Sequence, residues 1–260
     1  MKIQVLVASM NSDSSLIEEM NLQTDAIIIN QCNENKVELI KRDNFNVKFI
    51  SDVNRGVGKS RNLAIINSDA DICLIADEDM VYVDGYEEIV RAEFEKNSDA
   101  DMILFSLESS NPERPLYKEE SDHWVGNRNF RKYGACRIAF KREVILKNNI
   151  FFSLMFGGGA KYGSGEDSLF LGECLKDKIK IFASTQKIAD VKQEDSSWFT
   201  GYNEKYYTDK GALFGAMGSL SSLFLIPIMA LKTKETYKDK FSYKQVKSFM
   251  MQGRREYLKK

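Results

Sequence analysis

Residues Ile72–Asp79 read Ile-Cys-Leu-Ile-Ala-Asp-Glu-Asp: five apolar residues running straight into three acids. An uninterrupted apolar run of this length predicts a strand covered on both faces, as in the parallel sheets of α/β proteins. Three adjacent carboxylates cannot be carried into such a core without cations to meet them, so Asp77, Glu78 and Asp79 are expected outside the sheet, past its carboxyl edge. That edge is where open α/β sheets bind ligands. A second acidic pair, Glu166-Asp167, follows the glycine-rich segment from Phe156 to Gly165.

Outward from this strand the chain alternates. Strands are expected at 3–8, 26–30, 47–50, 72–76, 102–107 and 137–140, and helices at 14–21, 60–67, 85–96, 142–148 and 167–176, with Asp84 capping the third. A polar loop occupies 109–133. This order predicts an α/β fold with a Rossmann-like, mixed but mostly parallel sheet. Glu166 and Asp167 would lie in the first turn of a helix, where the dipole favours carboxylates, so simple capping is the bland alternative to a catalytic role.

The chain has 260 residues, 43% apolar and 29% charged, with three prolines and no repeat or low-complexity tract, which fits one globular catalytic unit with an appendage. Its four cysteines are scattered, without metal-ligand spacing and with no secretory signal ahead of the first strand, so a reducing cytosol is expected. Charge is unevenly placed. Residues 232–260 hold ten Lys/Arg against three Asp/Glu, a net +7, and the rest of the chain carries −8. Ala212–Leu231 is a run of twenty residues without a charge. No basic groove with stacking aromatics exists in the body, so nucleic acid is excluded as the partner. An apolar stretch followed by a basic tail instead predicts attachment to the anionic cytoplasmic face of a membrane. Glycines, serines and Pro227 make the run a poor spanning helix. The rival is that the stretch packs on the catalytic part or on a second copy of the chain. The expected division is 1–205 catalytic and 206–260 a helical, membrane-associating extension.

Gly56-Val57-Gly58-Lys59-Ser60 ends like a phosphate-binding loop, and Ile72–Glu78 resembles its partner strand, so a P-loop nucleotide hydrolase is a rival reading. The glycine such a loop needs five residues before Gly58 is Val53, and only one short helix separates Lys59 from Asp77. Both count against it.

Taken in order, four segments resemble the family 2 glycosyltransferases, inverting enzymes of the GT-A fold that use nucleotide sugars. They are the first strand running into Ser9-Met10-Asn11, then Asn54-Arg55-Gly56 followed by Ser60-Arg61-Asn62, then Asp77-Glu78-Asp79, and finally Gly165-Glu166-Asp167, across about residues 1–200. The resemblance implies that Ala8, Ser9, Asn30, Arg61, Asp77 and Glu78 face the donor, most simply a UDP-sugar. It implies that Asp79, with Asp77, holds Mn²⁺ or Mg²⁺ on the donor's diphosphate. Asp167 would be the general base that takes the acceptor's proton, with Glu166 as understudy. Gly158 and Gly159 would lie in a mobile acceptor-side loop, and Trp198 would be a sugar-stacking wall, although core packing on the sheet also accounts for its aromatic cluster with Phe199, Tyr202, Tyr206 and Tyr207. The acceptor would be a hydroxyl of a glycan or lipid-linked glycan. The chain departs from the family pattern at Asn30-Gln31, where relatives often carry Asp, and in having no histidine over 188–198, where Asp190, Glu194 or Asp195 could substitute. The lone histidine, His123, is expected at the surface or on the acceptor side. A non-catalytic sugar-nucleotide-binding relative is the remaining alternative.

Overall fold

A computed structural model describes residues 1–192 and 201–259. In chain order these form β1 (Ile3–Met10), α1 (Leu16–Glu19), β2 (Ala26–Gln31), β3 (Lys36–Lys41), β4 (Asn46–Asp52), α2 (Val57–Asn67), β5 (Ile72–Asp77), β6 (Met80–Tyr82), α3 (Tyr86–Lys96) and β7 (Met102–Ser109). There follow β8 (His123–Trp124), β9 (Ile138–Lys141), α4 (Arg142–Lys147), α5 (Glu166–Lys176), β10 (Ile181–Val191) and four further helices, α6 (Glu204–Met217), α7 (Ser221–Lys232), α8 (Lys234–Tyr237) and α9 (Tyr243–Leu258).

The strands form one sheet in the order β3-β4-β2-β1-β5-β9-β7-β10-β6, with β8 paired to β10. Strands β4, β2, β1, β5, β7 and β10 run in one direction, while β9 is inserted antiparallel between β5 and β7. Side chains alternate between two cores, as strand geometry requires. Val5, Val7, Leu74 and Ala76 face α1 and α3, whereas Leu6, Cys73 and Ile75 face α2, α4 and α5. With both faces covered, the central strands carry no polar side that would have broken the apolar runs in the sequence.

Several expected boundaries move. α1 is a single turn, ended by Asn21 in the left-handed region. α2 begins three residues early, at Val57, and α3 is entered from Gly85 at φ 71°, with Asp84 bonded instead by Asn21 and Gln23 side chains. The edge strand β3 was not expected, because Lys36–Lys41 is almost wholly exposed and mixes charged with apolar residues. Likewise β6, a three-residue return strand against β10, was hidden inside what read as loop.

The charge-free run Ala212–Leu231 is not one helix. It divides between α6 and α7 at residues 218–220, and among the described residues no helix is long and apolar enough to cross a membrane. α6 and α9 pack backbone against backbone: a Cβ on Gly211 would lie 1.9 Å from the Met250 carbonyl oxygen, and one on Gly253 1.8 Å from that of Thr208. Where packing on the sheet was expected for this cluster, Tyr207 is buried with Ile226, Ala230 and Tyr237 in the C-terminal helical layer. The Tyr202, Tyr206 and Tyr207 rings meet edge to face in succession, and Tyr207, carried on α6, meets Tyr237 of α8 in the same way. Trp198, Phe199, Glu194 and Asp195 lie outside the described residues.

Candidate active site

Parallel register sets the site. Ala8 pairs with Ile29 on one side and Asp77 on the other, and Ser9 pairs with Asn30, so the carboxyl ends of β1, β2 and β5 lie side by side. Ala8, Ser9 and Asn30 are buried there. The Asn30 amide accepts from Ser12 N at 2.9 Å and donates to Ser12 O at 2.9 Å. Glu78 accepts from Met10 N at 2.9 Å and from Ser12 Oγ at 2.8 Å. These two side chains therefore fix the 10–12 turn that follows β1.

Arg61 joins the two acidic clusters. The residue is only 3% exposed, and its guanidinium donates from Nη2 to Asp77 Oδ1 at 2.8 Å and Oδ2 at 3.1 Å, and from Nη1 to Glu166 Oε1 at 2.9 Å. It lies over the Phe152 ring, 5.3 Å from the centroid. Burial alone would lower its pKa, but Asp77 and Glu166 outweigh this and hold it firmly charged. Acids separated by 89 positions in the chain thus share one guanidinium. Cys136, just before β9, adds an S–H···Oδ2 contact to Asp77 at 3.0 Å, and burial followed by the Asp77 charge pushes this thiol's pKa well up, so it remains a donor.

Asp167 has a different environment from its neighbour. Glu166 is held by Arg61 and by its own Gly165 N at 3.1 Å. Asp167 accepts from Ser168 N at 2.6 Å, and Gly134 lies beside its other oxygen. Burial and then the Glu166 charge push its pKa up to about 6, against the lowering influence of Ser168, Arg61 and Lys210. A carboxylate poised near neutrality suits proton abstraction.

The loop that carries these acids is gripped from both sides. Val57 N donates to Gly158 O at 2.9 Å, and Gly159, at φ 78°, rests on Gly56 so closely that a Cβ would stand 3.0 Å from the Gly56 Cα. A Cβ on Gly58 would meet Ser153 O at 2.5 Å. The start of α2 is therefore covered by residues 153–159, which leaves no cradle for a phosphate and removes the structural basis of the P-loop reading. From the other side α6 holds three successive residues. Asp209 Oδ2 accepts from Gly163 N at 2.9 Å, Lys210 Nζ donates to Ser164 Oγ at 3.3 Å, and Leu213 packs on Gly165, whose φ is 113°. Burial lowers the Lys210 pKa, opposed by Asp167, Glu166 and Asp209.

Among the described residues no three His, Cys, Asp or Glu side chains converge to hold a metal by themselves. The β6–β10 pairing brings Lys192 N onto Asp79 O at 2.9 Å, but Asp190 is paired with Lys187 at 2.8 Å. His123 is at the sheet margin, bonded through Nδ1 to Ser121 O at 2.9 Å and through Nε2 to Tyr133 Oη at 3.3 Å.

The same architecture is found in Staphylococcus aureus TarS, a glycosyltransferase. The chain shares the TarS fold. Residues 1–349 of TarS match at TM-score 0.60 and 14% identity, over 99% of this chain and 71% of that one. The same fragment in complex with UDP-GlcNAc matches at TM-score 0.62 and 15% identity, over 99% and 72%. Against a longer TarS structure the chain spans 43% of the length. No protein-family model and no curated protein sequence matches this chain.

Cys136, Asp209, Lys210 and Leu213 were not singled out from the sequence. The cysteine stands alone with no spacing signal, and the α6 residues lie more than 40 positions from the loop they hold.

Proposed function

We propose that this protein is an inverting, nucleotide-sugar-dependent glycosyltransferase of the family 2 type. The observation that carries the reading is Asp167, a carboxylate with a pKa pushed up to about 6, whose neighbour Glu166 shares the Arg61 guanidinium with Asp77. Nucleotide-sugar binding by TarS, seen with UDP and with UDP-GlcNAc, supports a UDP-sugar as donor.

In this reading the nucleotide lies over the carboxyl ends of β1, β2 and β5, lined by Ala8, Ser9 and the turn that Asn30 and Glu78 hold. The acceptor hydroxyl oxygen attacks the anomeric carbon from the face opposite the nucleoside diphosphate. The bond to the diphosphate oxygen breaks with its electron pair leaving on phosphate, and the hydroxyl proton passes to Asp167. The products are the inverted glycoside and UDP. Arg61 holds Asp77 and Glu166 in place through its two ion pairs. Asp79, with Asp77, would hold a divalent cation such as Mg²⁺ or Mn²⁺, whose hard charge suits carboxylate oxygens. When bound, such a cation would neutralise charge on the departing diphosphate. The acceptor in this proposal is a hydroxyl of a glycan or lipid-linked glycan.

The test is a melting-temperature panel of nucleotide sugars with and without Mn²⁺, followed by donor hydrolysis. A donor at about 100 times its Kd should stabilise the fold by about 2.7 kcal/mol. Asp167→Asn should still be stabilised by the donor yet lose hydrolysis and transfer. Stabilisation by ATP with Mg²⁺ but by no nucleotide sugar would overturn the proposal, and donor binding without any turnover by the unaltered chain would favour a non-catalytic relative.

A further inference from the structure

The outer face of α7 is apolar and uncovered. Leu220, Phe224, Ile228 and Leu231 recur at helical spacing and are 77%, 73%, 49% and 61% exposed, with Leu223 flanking them. The opposite face of the same helix is already used: Ser222, Ile226 and Ala230 are buried against the bundle, and Arg254 of α9 ties Ser222 Oγ at 2.7 Å and Ser219 O at 2.7 Å. A helix apolar all round, with one side packed on protein, has its other side prepared for an apolar medium. The stripe ends directly at Lys232 and Lys234, both exposed, and opens the 232–260 segment of net +7.

We propose that the α7 face lies in the surface of an anionic lipid bilayer, with the 232–260 segment against its head groups. The stripe lies on a helix too short to span the bilayer, which fits insertion to the depth of one helix side. Charge selects lipid over a second copy of the chain. A two-fold contact between α7 faces would bring two segments of net +7 together, whereas phosphate head groups complement them. This inference is independent of the catalytic reading, and its test needs no activity.

Flotation of the full chain with vesicles of phosphatidylcholine alone, or of phosphatidylcholine mixed equally with phosphatidylglycerol, reads the proposal directly. The chain should float with the anionic vesicles at least tenfold more than with the neutral ones, and high salt should reduce this. The triple variant Leu220→Ser/Phe224→Ser/Leu231→Ser alters only exposed side chains. It should melt with the wild type and lose flotation at least tenfold. Lys232→Glu with Lys234→Glu should weaken anionic binding without abolishing the residual binding to neutral vesicles. The proposal is overturned if the chain stays with the aqueous fraction in anionic vesicles, or if the triple variant floats as well as wild type. It is also overturned if light scattering gives twice the chain mass for wild type and the single mass for the triple variant, which would make the face a dimer contact.

Discussion

Replacing Asp167 by Asn should abolish transfer and at the same time stabilise the protein, and the size of the second effect follows from the site. A folded-state pKa of about 6 against the ordinary 3.8 corresponds to about 3 kcal/mol of disfavoured ionisation. The side chain is partly exposed, and solvent brings this to about 2 kcal/mol. The sign is fixed by linkage. An acid whose pKa is raised on folding binds more protons in the folded state between the two values, so stability falls as pH climbs from 3.8 to 6 and stays low above that. Asn keeps the Oδ1 acceptor for Ser168 N and carries no charge, so the penalty disappears. With an unfolding entropy of roughly 2.1 cal/mol/K per residue over 260 residues, about 2 kcal/mol is a rise of about 4 °C in melting temperature at pH 8. The gain should shrink by more than half near pH 4.5. Melting curves of both proteins at the two pH values, with a transfer assay at pH 8, measure all of this. A variant no more stable than wild type at pH 8, or equally shifted at both, would refute the environment assigned to Asp167. Retained transfer would refute its role.

Transfer by the wild type should fall as pH drops through about 6, because Asp167 becomes protonated there, and a pH–rate profile in donor excess should place the limb. Removing the positive charge in Lys210→Met takes away one of the influences lowering the Asp167 pKa, so the same limb should move to higher pH. Arg61→Met leaves Asp77 and Glu166 facing each other without their shared cation. Loss of one partner from such a buried pair costs about 3–5 kcal/mol, measurable by urea unfolding. Gly253→Ala drives a methyl group into the Thr208 carbonyl and should cost about 1–3 kcal/mol or more, whereas Gly126→Ala, where a Cβ meets nothing within 4 Å, is the neutral control.

The sheet was legible because its central strands are buried on both faces and so read as plain apolar runs, and β5 announced the site by ending in acids. Strands without that burial were not legible. In β3 only Ile40 is even partly covered, and β6 is three residues long. Residue types at the site were equally visible, but their partners were not. Nothing local signals that Arg61 bonds a residue 105 positions away, that Asn30 is occupied by Ser12, or that Cys136 faces Asp77. The tail was read as an apolar run with a basic end, which is its composition. Its division into α6 and α7, and the use of α6 to hold the 163–165 loop, depend on tertiary packing that periodicity does not encode.

The interlocked glycines of α6 and α9 have a consequence for how the molecule comes apart. Because α6 also supplies Asp209, Lys210 and Leu213 to the loop ahead of Asp167, the helical layer and the sheet hold a strip of backbone in common. Heat or denaturant should therefore release both in a single cooperative melt, and a protease that nicks α9 would disarm a base it never touches.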